Sequence, residues 1–344
     1  MTGNLLHDSV YAADLQPLTP GEAAVDEDSF GEVVELEGIS VPVDEVFKVR
    51  ETQLLVRDSF LIIKNRMADH HFMVYSLPDL RLIQSMGKAG RGPKEFQFPR
   101  LIRSHHENML CYIFEMTQNK LYAVNRELEI IDMGIALPES SGSMFSSKQI
   151  ESLNDSAFVF VESVSKGKEV FHLHLDSTIA HVTPIHNLSF NENIRNWAAY
   201  TGDFGVNPNK HRMVYAYKYF RRLVFTDTES LKSKTVIFDE QRGKGPDLSD
   251  VLGPHNTSYY WGLSAQNNYV YLLYSGRRPL EVHEQQRKSP GYIFLEQFDW
   301  NGNPVRKFKL DRWGYFCVSE DENTIYLVST NDEHPIYKYT LPDI

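Results

Sequence analysis

The sequence predicts an all-β protein, a six-bladed β-propeller with four-stranded blades, and three observations support this. From Leu54 onward, short runs rich in Val, Ile, Phe, Tyr and Leu alternate with turn clusters of Asn, Asp, Ser and Gly. A four-strand pattern recurs at intervals of roughly 50 residues. No convincing helical pattern of about ten residues or more interrupts it. A repeat of this period is typical of propellers, in which each blade buries its faces against its neighbours.

Length and charge narrow the class of protein. The chain has 344 residues, of which 42% are hydrophobic and 24% charged, and its formal net charge is −11. At about 150 residues per domain the length would suggest two domains, but propellers of this length form a single domain. Non-specific nucleic-acid binding depends on Lys and Arg neutralising phosphates, so the acidic balance argues against a nucleic-acid partner.

The N-terminal region is acidic and loosely patterned. We expect a poorly structured tail over residues 1–30, followed by a single propeller domain over residues 31–344. No apolar stretch approaches the roughly 18 residues of a membrane span, and the first ten residues lack the basic and apolar regions of a signal peptide. We therefore expect a periplasmic or cell-envelope location if an export signal precedes Met1, and a cytoplasmic one otherwise.

Six units follow, and the most apolar run of each is interpreted as its second strand. That strand lies between two blades and is therefore apolar on both faces. The six runs are residues 60–63, 109–114, 157–161, 213–217, 269–273 and 324–328. A polar turn precedes each run, and a further short strand precedes each turn.

The last unit contains only three strand-like runs, at residues 315–319, 324–328 and 336–341. An isolated strand-like run at residues 33–36 is the candidate for the missing outer strand. Pairing it with the last blade would close the ring and leave no open sheet edge there. The rival architecture is a pair of β-sandwiches, which explains the density of strands but not six matching units.

A glycine-rich segment at residues 87–99 joins the first unit to the second. It lacks the Gly-Lys-Ser/Thr ending of a phosphate-binding loop, and no helix follows it. We interpret it as a connector in which Gly87, Gly90 and Gly92 permit positive φ, while Pro93 and Phe96 anchor the loop. Part of the pattern returns in the crossover between units four and five, at Gly243, Gly245 and Pro246.

This crossover pattern resembles that of the six-bladed TolB-like and NHL-like propellers of bacterial envelope proteins. The residues that match are Gly87, Gly90, Gly92, Pro93, Glu95, Phe96 and Pro99. The resemblance covers about residues 30–344 and implies a closed six-bladed ring. It also implies an exported protein or lipoprotein whose activity is uncharacterised.

Metal-ligating and catalytic motifs give weaker signals. His172 and His174 alternate along a strand, a spacing that can present two imidazoles to zinc. Leucines occupy the other face of that strand, so we interpret these histidines as surface or inter-blade polar residues. Cys111 and Cys317 lie in apolar runs as buried thiols. No nucleophile elbow, zincin helix or dinucleotide fingerprint occurs. No cofactor is predicted, and a metal ion in the central channel stays open.

Long loops gather on one face of the expected ring, and such loops commonly carry binding residues. Four loop arginines are candidates for holding an anionic group: Arg91, Arg277, Arg278 and Arg287. Four aromatic residues are candidates for stacking near the channel mouth: Trp197, Tyr259, Tyr260 and Trp261. The alternative is that the arginines are solvated loop charges and that the aromatic rings pack within the blades.

The sequence thus predicts a monomeric, non-catalytic binding or scaffold propeller that recognises a protein, peptide or glycan on its long-loop face. The alternative is a propeller enzyme, a hydrolase, lyase or lactonase that uses a metal ion in the channel. A cytosolic scaffold is a third hypothesis.

Overall fold

Six β-sheets dominate the computed structural model of the chain. The structure describes residues 18–47, 52–65, 69–137, 148–164, 167–176, 179–191, 194, 197–238, 256–288, 291–329 and 332–342. Each sheet is one blade of a propeller, and strands that follow one another in a blade pair antiparallel. The predicted fold class is therefore confirmed.

The first three blades are continuous four-strand meanders. Blade 1 contains β4 (Gln53–Arg57), β5 (Phe60–Lys64), β6 (His70–Ser76) and β7 (Arg81–Lys88). Blade 2 contains β8 (Pro99–Arg103), β9 (Met109–Glu115), β10 (Lys120–Asn125) and β11 (Ile130–Ala136). Blade 3 contains β12 (Gln149–Ser152), β13 (Ala157–Val164), β14 (Gly167–Asp176) and β15 (Ile179–Asn187).

The other three blades each take one strand from the N-terminal region. Blade 4 contains β16 (Gly202–Asn207), β17 (Arg212–Tyr217), β18 (Arg222–Asp227), β19 (Ser233–Phe238) and the added β1 (Glu22–Val25). Blade 5 contains β20 (Ser258–Ala265), β21 (Tyr269–Arg277), β22 (Ile293–Asp299), β23 (Pro304–Leu310) and the added β2 (Val34–Leu36). Blade 6 contains β24 (Gly314–Val318), β25 (Thr324–Ser329), β26 (Ile336–Thr340) and the added β3 (Ile39–Val41).

The inner strands of the six blades form a closed ring around a central channel. Each inner strand contacts the inner strand of the next blade, in the order β4, β8, β12, β16, β20 and β24, and β24 contacts β4. Six apolar clusters fill the spaces between blades, one for each pair of neighbours. The six predicted second strands supply fully buried residues to these clusters, as expected for strands apolar on both faces.

An N-terminal strand closes the ring, but it is not the predicted one. Residues 34–36 pair parallel with β23 on the rim of blade 5. The outer strand of blade 6 is β3, which pairs antiparallel with β26. Both segments are only three residues long, so their side-chain pattern carries too little information to specify a partner.

Residues 22–30 are ordered, although the sequence placed them in a poorly structured tail. β1 pairs parallel with β19, and a 3-10 helix follows over Glu27–Phe30. Phe30 is 4% exposed and packs edge-to-face on Phe298 at 5.3 Å between ring centroids. Glu27 forms ion pairs with Arg221 and Lys307. These contacts are all long-range, which explains why local patterning does not reveal them. Residues 1–17 lie outside the described part.

The two ends of the channel differ in their connections. Long crossovers between blades and the turns between second and third strands share one face, which we call the long-loop face. The insert of blade 5 on this face contains a helix, α1 (Pro279–Gln286). Proline at its first turn and the Glu281 carboxylate, which accepts from the Arg278 N–H at 2.9 Å, begin the helix. None of the described helices is long and apolar enough to cross a membrane.

Candidate functional site

The glycine-rich crossover is packed around one carboxylate. Glu95 accepts hydrogen bonds from the Gly92 N–H at 2.9 Å and from the Lys88 ammonium at 2.7 Å. An added Cβ on Gly90 would lie 2.6 Å from the Glu95 carboxyl carbon, so any side chain there would displace this carboxylate. Gly87 has φ +72, and a Cβ on it would lie 2.6 Å from the Phe72 ring.

Phe96 anchors this crossover between blades 1 and 2. Its side chain is 1% exposed and packs edge-to-face on Tyr122 at 5.0 Å between ring centroids. Its N–H donates to the Lys88 carbonyl at 2.8 Å, and the His71 ring hydrogen-bonds its carbonyl at 2.8 Å. Such contacts are those of an anchored connector rather than a ligand loop. The partial repeat at Gly243, Gly245 and Pro246 lies outside the described residues.

The structure does not bring the four candidate loop arginines together. Arg91 is exposed in the crossover between blades 1 and 2, whereas the other three belong to the blade 5 insert, in a different sector of the ring. Arg278 and Arg287 are exposed at the two ends of α1. The Arg277 guanidinium donates to the Tyr292 carbonyl at 2.9 Å and lies 4.5 Å from the centre of its ring. Burial lowers the pKa of Arg277.

The four candidate aromatic residues also separate. Tyr260 is fully buried and Tyr259 is 8% exposed, both in the apolar cluster between blades 4 and 5. The expectation that these two offer stacking surfaces is therefore corrected, because their rings are packing residues. Trp197 begins a 3-10 helix, and its side chain lies outside the described part. Trp261 lines a cavity at the long-loop end of the channel.

This cavity, which we call the channel mouth, has a volume of about 570 Å³. It lies where the inner strands begin. Five blades contribute lining residues, among them Gln53, Arg100, Asp203, Trp261 and Tyr315. A concave site of this size, with apolar walls and a few polar groups, is typical of small-ligand binding sites.

Two buried lysines of blade 3 lie close to Arg100, which lines the channel mouth. Lys148 is 1% exposed and pairs with Glu162 at 2.8 Å. Lys168 is 5% exposed, and burial together with the nearby Arg100 lowers its pKa to about 8. Asp203 is largely enclosed by protein, which raises the pKa of its carboxyl against the opposing effect of neighbouring cations.

A smaller chamber of about 150 Å³ continues the channel below the mouth. Glu151 of blade 3 lines it, and burial raises the pKa of its carboxyl to about 8 despite the nearby Arg103 and Arg100. Some of the Glu151 side chain still meets solvent within the channel. A carboxyl group with this pKa can hold or release a proton near neutral pH.

Ion pairs and amide hydrogen bonds cross the lower end of the channel. Arg103 donates to the Gln266 side chain at 2.6 Å and to Glu320 at 3.2 Å. Arg57 also donates to Glu320, at 3.0 Å. Burial and these two arginines lower the pKa of His105 to about 4. This network crosses the short-turn end, whereas the larger of the two cavities lies at the long-loop end.

The histidine and cysteine candidates do not assemble. His172 and His174 alternate with buried leucines on β14, and burial lowers the pKa of His172. Cys111 and Cys317 are free, buried thiols whose pKa values burial raises. Within the described ranges, no group of three or more His, Cys, Asp or Glu side chains could hold a metal ion.

Apart from Trp261, the sequence analysis did not identify the residues of the mouth or of the chamber below it. Arg100, Glu151 and Asp203 are charged residues within inner strands, and this position in the repeat was the available signal. Lys168 is the second residue of β14, and Lys218 directly follows β17. Only the ring places these side chains of separate blades around one opening.

Comparison with solved structures supports the fold. A member of the DUF4221 family from Bacteroides vulgatus shares 12% identity with a TM-score of 0.57, covering 90% of this chain and 98% of its own. A putative exported protein from Bacteroides fragilis gives the same identity and TM-score, with 94% and 99% coverage. A calcium-binding protein, regucalcin, from Agrobacterium tumefaciens shares 10% identity with a TM-score of 0.52, covering 90% and 95%.

At these identities the similarity establishes the fold alone. No curated protein matches this chain in sequence. The model of one family, described as TolB-like 6-blade propeller-like, matches residues 29–321. That match covers blades 1 to 5 and the first strand of blade 6, well over half of the chain, and the chain therefore belongs to the TolB-like six-bladed propeller family.

Proposed function

We propose that this protein is a non-catalytic binding propeller that holds a glycan or peptide ligand in the channel mouth. The observation that carries this proposal is the mouth itself, a cavity of about 570 Å³ lined by residues of five blades. Ligand sites commonly have volumes of about 300–1,000 Å³ and combine apolar walls with a few polar groups. The ion-paired lower end favours entry from the long-loop face.

None of the four loop arginines lines the mouth, and Trp261 is the predicted binding residue that does. Its indole N–H donates to the Ser258 hydroxyl at 3.2 Å, which fixes the ring at the cavity wall. Arg278 is the matched comparison, because it is exposed on an insert of the same blade without lining the cavity.

Binding to a defined oligosaccharide array and a peptide library tests this function. We expect Trp261→Ala to weaken binding of any retained ligand by at least about tenfold, since it removes part of the cavity wall. Arg278→Ala is expected to bind as the unmodified protein does. The opposite pattern, with binding lost in Arg278→Ala and kept in Trp261→Ala, would place the site on the insert.

A propeller enzyme is the second candidate function, and Glu151 is the observation that favours it. A carboxyl group with a pKa of about 8 in a ligand-accessible channel suits general acid or base catalysis. Turnover of a retained ligand that is lost in Glu151→Gln, while binding persists, would support the enzyme. Metal analysis of the purified protein tests the metal-assisted form of this candidate.

We also propose that the protein is a monomer of the bacterial cell envelope. The support for the location is that a similar solved structure is that of a putative exported protein from Bacteroides fragilis. Fractionation of the native host with an antibody against the propeller tests the location, and recovery in the cytoplasmic fraction would contradict it. Light scattering of the purified protein tests the monomeric state.

A further inference from the structure

Basic side chains of blades 2, 3 and 4 gather around Asp203, which lines the channel mouth. Arg100 is the second residue of β8 and lines the cavity. Lys168 is the second residue of β14, at the same end of blade 3. Lys218 follows β17 of blade 4 and lies against the cavity-lining Trp261. We call Arg100, Lys168 and Lys218 the basic wall.

Lys168 is the most buried member of the wall. Its side chain is 5% exposed, and Asp203 is the carboxylate whose charge acts on it. The adjacent Lys148, by contrast, pairs with Glu162 at 2.8 Å. The three cations of the wall outnumber the Asp203 carboxylate, so an anion in the mouth would balance the excess positive charge. Lys168 remains mainly charged at pH 7, because its pKa is about 8.

Trp261 holds Lys218 at the mouth. The Lys218 ammonium lies 3.7 Å from the centre of the Trp261 ring, a distance typical of a cation–π contact. The ring also packs edge-to-face on Trp313, with centroids 5.6 Å apart, and its N–H donates to the Ser258 hydroxyl. Because Lys218 covers one face of the indole, Trp261 acts chiefly as support for this cation.

Asp203 adds a carboxylate to the same side of the mouth. It lines the cavity and interacts electrostatically with Lys218, Arg100 and Lys168. A carboxylate accepts hydrogen bonds from hydroxyl groups and repels a second negative charge. The combination therefore favours a ligand with one anionic group and several hydroxyl groups over a multiply charged phosphate.

We infer that the basic wall and Asp203 bind an acidic saccharide, a sugar that carries a carboxylate, within the channel mouth. Arg100 contacts the sugar carboxylate, Lys168 and Lys218 add positive charge beside it, and Asp203 accepts hydrogen bonds from ring hydroxyls. This inference rests on the proposed function, because it names the ligand class of the same cavity. The volume of about 570 Å³ is sufficient for a short oligosaccharide.

Calorimetry with a glucuronate-containing disaccharide, at pH 7 and low salt, tests the inference. A neutral disaccharide of the same size, inorganic phosphate and an acidic hexapeptide are the comparison ligands. We expect the acidic disaccharide to bind at least about tenfold more tightly than each of them. Lys168→Met removes the charge but keeps the apolar stem, and should weaken this binding by at least about tenfold.

Lys94→Met is the matched control, since Lys94 is an exposed lysine of the crossover on the same face. It should bind the acidic disaccharide unchanged. Lys168→Arg provides a test that does not depend on removing a buried charge. Glu151 also has a pKa of about 8, so both proteins in this comparison carry Glu151→Gln. With Lys168 present, the affinity should fall between pH 7 and pH 9, as this lysine loses its proton. Lys168→Arg should keep its affinity over that range, because arginine stays charged.

The possible results separate this inference from the proposed function. Equal affinity for acidic and neutral disaccharides, or no binding of the acidic one, overturns the inference and leaves the peptide or neutral-glycan form of the proposed function intact. Tighter binding of phosphate or of the acidic hexapeptide also overturns it. The inference is also overturned if the affinity of Lys168→Arg for the acidic disaccharide falls between pH 7 and pH 9 as much as that of the protein with Lys168. Loss of ligand in Arg278→Ala but not in Trp261→Ala overturns the proposed function itself.

Discussion

Protonation of Glu151 should make the stability of the propeller depend on pH, and Glu151→Gln isolates this effect. In the folded protein the pKa of Glu151 is about 8, against an ordinary value of 4.5. Below pH 4.5 the carboxyl group is protonated in both the folded and the unfolded chain. Between pH 4.5 and 8 it ionises only in the unfolded chain. The free energy of unfolding therefore falls as the pH rises through this interval and levels off above pH 8.

The magnitude follows from the interval between the two pKa values. Each pH unit corresponds to about 1.4 kcal/mol, so the full interval gives an upper limit of about 5 kcal/mol. Water in the channel screens the carboxylate and reduces this value to about 2–4 kcal/mol. Glutamine has nearly the shape of the protonated acid. Glu151→Gln should therefore match the unmodified protein near pH 4.5 and exceed its stability by that amount at pH 9.

Urea unfolding followed by tryptophan fluorescence at several pH values between 5 and 9 measures the difference. Glu127→Gln is the matched control, because Glu127 is exposed and its substitution should leave the pH dependence unchanged. The reasoning would be refuted if the difference in unfolding free energy between Glu151→Gln and the unmodified protein stayed constant from pH 5 to pH 9. A lower stability of Glu151→Gln throughout would mean that the carboxylate is ionised and paired with Arg103.

Two further predictions concern packing. Gly90→Ala should lower the free energy of unfolding by about 1–3 kcal/mol, because the added methyl group displaces the Glu95 carboxylate. Urea unfolding measures this, and an equal loss in a Glu95→Ala background would contradict the cause. Glu296→Ala should cost about 3–5 kcal/mol in thermal or urea unfolding, because it leaves Arg221 and Lys307 buried with less compensation. The exposed ion pair between Glu35 and Lys309 should contribute little to stability, so a similar loss in Glu35→Ala would argue against burial as the reason.

Local patterning was sufficient for the six units because strand formation depends on neighbouring residues. Each apolar second strand and the polar turn before it are contiguous, so the pattern can be recognised in a single amino-acid sequence. Ring closure by an N-terminal strand was also predictable from the missing fourth strand of blade 6. The choice of β3 rather than residues 34–36 was not, because both segments are short and their partners lie more than 270 residues away.

The candidate site was less predictable than the fold. Of eight predicted binding residues, Trp261 lines the mouth, while the exposed arginines stay on separate loops and two tyrosines pack in the core. Aromatic and arginine residues are frequent in binding sites, but residue type alone does not report whether a side chain is buried. The position of Arg100 and Asp203 within inner strands was a stronger signal than loop length.

The sequence by itself therefore determined the strand content, the six-fold repeat and the single closed ring, since these follow from local patterns and their period. Only the tertiary structure decided which N-terminal strand closes the last blade, and which charged residues meet in the channel. Arg103 donates to the Ala265 carbonyl at 2.8 Å across a separation of 162 residues. Contacts of this kind depend on the curvature of the ring, which brings one residue from each blade to the axis and which no local pattern records.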